Sequence, residues 1–240
     1  MEQNNNVISL RDAFVQAVNE QVGKGIYVWG GNGEILDEMK DPFGWIERKE
    51  TSAADAKRAI ALYRKRVEAG FSDIRAFDCS GLVYRALKDL GVLKADVSSR
   101  GLYALCRPIE ESELIPGDLV FHHDGKQIVH VGVSVGNEQI ECKGRDDGVV
   151  RNKRRKGYWN RFGRLPAFEA EPTVACVKVL GGSVRVREGG GTHTRCIGIV
   201  HKGERYPLLG RALSGWYQIL WHGAEAYITN NTRYTEVLHG

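Results

Sequence analysis

The sequence predicts an α+β protein in two parts, helices packed on an antiparallel sheet and then a small all-β barrel. Three observations carry this. Apolar residues recur at helical spacing early in the 240-residue chain, the period changes to two from about residue 117, and beyond about residue 170 short apolar runs alternate with Gly and Asn turns. Helices first and strands later is the order of an α+β domain rather than of alternating βα units.

Each element has a local signal. Ser9 followed by Asp12 resembles a capping box, and Leu10, Phe14, Val18 and Val22 share one helical face, so residues 9–22 read as a first helix stopped at Gly23. The stretch "GIYVWGGNGE" then reads as an aromatic, glycine-rich turn. Ser52 with Asp55 opens, and Gly70 closes, a surface helix in "SAADAKRAIALYRKRVEAG". Another helix begins at Cys79, where Leu82, Val83, Ala86, Leu87 and Leu90 form an apolar stripe, Asp78 fits the N-cap and Gly91 the stop. "DLVFHH", "IVHVGVSVG" and "NEQIECKG" read as successive strands. "RLPAFEAEPTVA", residues 164–175, carries two prolines and reads as a linker; beyond it the spacing is that of a small β-barrel. Two domains are expected, residues 1–168 and 172–240.

Bulk properties narrow the function classes. A formal net charge of +4 permits an anionic partner without choosing one. No stretch approaches the roughly 18 apolar residues of a membrane-spanning helix. The opening "MEQNNNVISLRDAF" has acidic and amide residues where a secretory signal needs a basic start and an apolar run, so synthesis in the cytoplasm without a signal peptide is expected. Five cysteines are scattered, odd in number and without a CxxC pair, which points to neither a disulfide framework nor a zinc site.

Cys79 raises the chemical question. It lies three and four residues before Leu82 and Val83, so it projects toward whatever its helix packs on, and the positive end of the helix favours the thiolate. A cysteine on an apolar face is also an ordinary core residue. In "IVHVGVSVG", Val129, Val131, Val133 and Val135 are expected to face the core. His130 then shares the other face with Gly132 and Ser134, placed to meet a helix N-terminus.

"YVWGG", "FDCSGLV", "PGDLVF" and "HVGVSVGN", in this order, resemble the signature set of the NlpC family of papain-like bacterial cell-wall cysteine peptidases, over residues 9 to about 165. "VRVREGGG" and "GWYQI" make the C-terminal part similar to bacterial SH3 domains. The resemblance implies Cys79 as nucleophile and His130 as general base, with a third, orienting residue on the next strand. Strand parity favours Glu141 for it: Ile140 and Cys142 share the apolar face, while Gln139, Glu141 and Lys143 share His130's side. The resemblance further implies an oxyanion site at the Cys79 N–H and Tyr27, stem-peptide contacts at Asp78 and Ser80, and no metal or cofactor. It departs from the family in an inserted helical segment at about 32–76, between "YVWGG" and the cysteine motif.

The implied partner is peptidoglycan, as stem peptides or cell wall, with no nucleic acid or membrane. The implied reaction is murein hydrolysis at the γ-D-glutamyl–diamino acid bond. An N-acetylmuramoyl-L-alanine amidase and an inactive cell-wall-binding module are the alternatives. A catalytic domain followed by an SH3-type domain resembles phage lysins, which act after release; recycling of murein peptides in the cytosol fits equally. His122, His123 and Asp124 read as a polar turn rather than a metal site, and the basic run "RNKRRKGYWNRFGR" as a solvated face or an attraction to anionic wall polymer.

Overall fold

The helix announced by Ser9 is present: α1 spans Leu10–Asn19, and the Asp12 N–H donates to Ser9 Oγ at 2.9 Å. It stops short of the expected Gly23, and turns fill residues 20–24. This computed structural model describes residues 8–169, 173–212, 215–222 and 224–238. The reading of the first seven residues, and residues 170–172 of the expected linker, lie outside the described residues. The chain divides into two compact units, residues 14–169 and residues 1–13 together with 170–240. Among the described residues no helix is long and apolar enough to cross a membrane.

In the first unit the stretch read as a turn contributes two strands, β2 (Ile26–Tyr27) and β3 (Asn32–Ile35). Both pair with β4 (Arg75–Phe77), β2 parallel and β3 antiparallel. Two-residue pairing across some fifty residues of chain leaves no periodic signal in the sequence. The inserted segment holds a helix that was not expected, α2 (Pro42–Lys49), begun by proline at the first helical position and by the Asp41 carboxylate accepting the Gly44 N–H at 2.9 Å. α3 (Ala53–Glu68) follows its Ser52 cap, as read. It is more than a surface helix: Ala56, Ala59, Leu62 and Tyr63 are buried with Ile26, Val28, Leu36, Ile46 and Ile74 in one apolar cluster, so the insertion is built into the core.

α4 (Cys79–Asp89) has the cap and stripe that its sequence announces. Leu82, Val83, Ala86 and Leu87 are buried, which for each of the larger side chains contributes about 1.5–3 kcal/mol. A short helix, α5 (Ser99–Leu105), was not expected; its seven residues are too few for a periodic signature. The main sheet comprises β5 (Arg107–Pro108), β6 (Leu119–His123), β7 (Ile128–Val135), β8 (Glu138–Gly144), β9 (Gly148–Lys153) and β10 (Arg161–Arg164) in the order β5-β10-β6-β7-β8-β9. All its pairings are antiparallel. α4 packs against β7 and β8. On β7, Val131 and Val133 are buried as expected, but Val129 is 40% exposed, because the strand begins at the rim of a cleft. The first part of the expected linker is packed: Phe168, on a turn of 3-10 helix, is buried with its ring centroid 5.3 Å from that of Phe14.

In the second unit β1 (Ile8–Ser9) pairs with β11 (Thr173–Val174). Seven further strands follow: β12 (Cys176–Val179), β13 (Ser183–Arg187), β14 (Cys196–His201), β15 (Arg205–Ala212), β16 (Trp216–Trp221), β17 (Ala224–Thr229) and β18 (Thr235–Leu238). They form one antiparallel sheet in the order β14-β13-β17-β16-β15-β12-β18 around a core that includes Val177, Val186, Val200, Ile219 and Ile228. The all-β expectation is met, but the sheet is not closed as a barrel: among the described residues its edge strands β14 and β18 do not pair.

The N-terminal turn of α4 presses on the loop after β2. A Cβ built on Gly81 would lie 1.9 Å from the Gly31 carbonyl oxygen. Gly81→Ala ordinarily gains up to about 1 kcal/mol in a helix, but overpacking against backbone costs about 1–3 kcal/mol. A net loss of stability is therefore expected, read as a lower denaturant midpoint with unchanged slope.

Candidate active site

Cys79 is the first residue of α4, so its N–H has no partner within the helix. The N-cap Asp78 fixes the turn: its Oδ1 accepts the Gly81 N–H at 2.7 Å and the Ser80 hydroxyl at 2.9 Å, and its Oδ2 accepts the Gly30 N–H at 3.1 Å. The Asp78 N–H in turn donates to Gly31 O at 2.9 Å. One carboxylate thus binds the start of the helix to the "YVWGG" loop.

His130 reaches the same place from β7. Its Nε2 lies 2.7 Å from Glu141 Oε2 on β8. Because an ionised carboxylate only accepts, Nε2 carries the hydrogen, and Nδ1 is the ring nitrogen left for Cys79, whose charge acts on the imidazole. Glu141 is buried, and its second oxygen accepts the Gln139 amide at 3.1 Å. The parity read from "QIECKG" therefore puts Glu141 on His130's side.

Electrostatics follow from these contacts. Burial alone would lower the basicity of His130; the nearby thiol of Cys79 and the carboxylate of Glu141 outweigh it and raise the pKa to about 9. Burial likewise opposes ionisation of Glu141, yet its contacts with His130 keep its pKa below the usual value. Burial, with the Cys79 and Asp78 charges, pushes the Tyr27 hydroxyl well above its ordinary value, so it stays a neutral donor. Cys142, the other cysteine on β8, is buried with Sγ 3.3 Å from Phe77 O, and burial drives its thiol pKa far up.

A cleft of about 500 Å³ opens over this group. Tyr27, Trp29, Asp78, Cys79, Ser80 and His130 all line it, as do Ser98, Arg100, Val129 and Arg145. Every residue assigned from the sequence thus borders or backs one cleft. No expected site residue lies elsewhere.

Sequence reading missed several contributors. Trp159, from the run read as a solvated face, is only 3% exposed and stacks on His130 at 5.4 Å between centroids and 24°. Gly132 makes room for it, since a Cβ there would come within 3.2 Å of the indole. His122, set aside as part of a polar turn, stacks on Tyr158 at 4.1 Å, and its Nδ1 lies 2.7 Å from the Tyr158 carbonyl oxygen. The aromatic pair inside the basic run was the available signal. A wholly solvated stretch has no use for tryptophan.

A helix-borne thiol facing a strand-borne histidine and carboxylate is the arrangement of the papain-like α+β class. Residues 63–164 match the sequence pattern of the NlpC/P60 family. The match begins inside α3, so "YVWGG" lies upstream of it. The chain is 40% identical over 119 residues to the murein DD-endopeptidase MepH of Escherichia coli (strain K12), covering 48% of this chain and 44% of that protein. It is 34% identical over 96 residues to the bifunctional muramidase/DL-endopeptidase CwlT of Bacillus subtilis (strain 168), covering 37% of this chain and 29% of that protein. The chain spans less than half the length of these curated relatives. The peptidoglycan hydrolase RipB of Mycobacterium tuberculosis superposes with a TM-score of 0.44 at 22% identity, covering 65% of this chain and 64% of that one.

The raised His130 value has a consequence for stability. Relative to 6.5 for an unperturbed histidine, a folded-state value near 9 contributes stability that is complete below about pH 6.5 and is lost as the pH rises through about 9. Glu141→Gln removes the carboxylate while keeping an acceptor, so the His130 imidazole, followed by NMR, is expected to titrate lower than in the wild type. An unchanged titration would show that Glu141 does not hold the proton.

Proposed function

We propose that the protein is a cysteine peptidase that hydrolyses murein stem peptides, with Cys79 as nucleophile, His130 as acid and base, and Glu141 as the orienting carboxylate. The observation that carries this reading is His130, hydrogen-bonded to Glu141, lining one cleft with Cys79. Similarity to murein endopeptidases supports the substrate class.

The reaction is acyl transfer. Cys79 Sγ attacks the scissile carbonyl carbon while His130 holds the thiol's proton, and a C–S bond forms. The oxyanion accepts from the Cys79 N–H and the Tyr27 hydroxyl. His130 passes its proton to the departing amine nitrogen as the C–N bond breaks. It then takes a proton from water, whose oxygen attacks the thioester, releasing the acid and regenerating the thiol. Glu141 accepts the Nε2–H throughout and stabilises the imidazolium. Asp78 and Ser80 line the cleft, where stem-peptide groups would meet them. No step calls for a metal or cofactor.

The favoured scissile bond is γ-D-glutamyl–diamino acid, a DL-bond as in the name of CwlT. The name of MepH favours a second reading, the DD-bond of a cross-link. Incubating disaccharide-linked murein peptides and their cross-linked dimers with the protein separates these by product mass, and release of intact stem peptide from sugar would instead indicate an amidase. Cys79→Ala is expected to abolish product formation; equal products from wild type and variant would sink the peptidase reading. Hydrolysis is further expected to decline as the pH rises through about 9, where His130 loses the proton that the leaving amine needs.

A further inference from the structure

The inserted segment touches the active site at one chemically unusual point. Glu50, which closes α2 at the corner leading into α3, has a side chain with no exposed surface. A carboxylate is costly to bury unless every lone pair is matched. Glu50 is paired at both of its oxygens. Its Oε2 accepts from Arg145 Nε at 3.0 Å and Nη2 at 2.6 Å, and its Oε1 accepts the Trp29 N–H at 3.2 Å. The next residue back, Lys49, donates to the Gly30 carbonyl at 2.9 Å. The α2–α3 corner therefore grips the loop after β2, and that same loop is tied to Asp78 and the start of α4.

Arg145 follows β8, the strand that carries Glu141. Its guanidinium carbon lies 4.7 Å from the centroid of the Tyr27 ring. Asp55 Oδ1 stands 3.5 Å from the same Nε, so the cation is already neutralised by carboxylates of the insertion. That makes Arg145 a poor candidate for capturing a free anion and a good one for bracing an aromatic ring. The two N–H groups converging on one carboxylate oxygen fix the plane of the guanidinium, and the guanidinium in turn limits how the ring can tilt.

We propose that Glu50 is a positioning residue of the active site: through Arg145 it sets the Tyr27 ring, and through the Trp29 N–H it sets the loop that follows that ring. This rests on the reading of the site as a cysteine peptidase with the Tyr27 hydroxyl at the oxyanion. On this account the insertion is a working wall of the site and no detachable addition, and its contribution is to hold a donor where charge develops in the transition state.

The test uses the full chain with Glu50→Gln, Arg145→Gln, Arg145→Lys and Tyr27→Phe, plus the double variant Glu50→Gln/Tyr27→Phe. Tyrosine ring resonances, with Tyr27 assigned by its loss in Tyr27→Phe, are expected to shift in Glu50→Gln and in both Arg145 variants while thermal unfolding stays cooperative. Unchanged Tyr27 resonances overturn the proposal whether or not the protein hydrolyses anything. In hydrolysis of a murein peptide, Tyr27→Phe is expected to lower kcat by about 10²–10³ and Glu50→Gln by about 10-fold or more with KM nearly unchanged. The double variant is expected to be no slower than Tyr27→Phe alone. A Glu50→Gln loss that multiplies in full on the Tyr27→Phe background overturns the proposal, because Glu50 would then act by another route. Absence of Cys79-dependent hydrolysis in the wild type instead overturns the peptidase reading, and the resonances still decide the role of Glu50.

Discussion

The Asp78 carboxylate is the interaction on which the site depends. It caps α4, accepts the Ser80 hydroxyl and holds the Gly30 N–H, while its own N–H is bonded to Gly31. Capping is worth about 1 kcal/mol to a helix, but the geometric effect is larger than that figure conveys. A single group decides where the first turn of α4 ends and how close the "YVWGG" loop approaches, and so fixes the backbone N–H and thiol of Cys79 relative to Tyr27. Gly81 is the corollary, since no side chain fits between that turn and the Gly31 carbonyl.

Around this fixed point the remaining parts arrive from distant stretches of chain. β7 supplies His130 and β8 supplies Glu141, both held by an antiparallel sheet against which α4 packs. Trp159 closes the back of the imidazole, keeping water away from a hydrogen bond that would weaken in high dielectric. The inserted segment approaches from the other side with Glu50 and Arg145. Two carboxylates with buried side chains, Glu141 and Glu50, thus stand in parallel positions: each is paired with a cationic or cation-forming side chain that lines the cleft.

Much of this was legible in local sequence because local rules produced it. Helix caps at Ser9, Ser52 and Asp78, the stripe on α4 and the strand parity of His130 and Glu141 each depend on neighbours within a few residues. Val129 escaped the parity rule because alternation predicts a face, and whether that face is covered depends on where the sheet ends. The same reason explains Trp159: its composition context is basic, yet the turn before β10 folds it onto His130. β2, β3 and α2 were missed because they are short, and their partners lie far along the chain.

What the sequence by itself determined is the set of candidate residues and most of their elements, since ordered motifs and the periods of helix and strand specify which face each side chain takes. What only the tertiary structure decided is how those elements converge: that Nε2 of His130 is the nitrogen given to Glu141, that a glutamate of the inserted segment reaches the loop after β2, and that the C-terminal strands form an open sheet. The physical reason is the same in each case. Register and periodicity are short-range properties, whereas pairing of buried charges and closure of a sheet are settled by contacts between segments that the sequence keeps far apart.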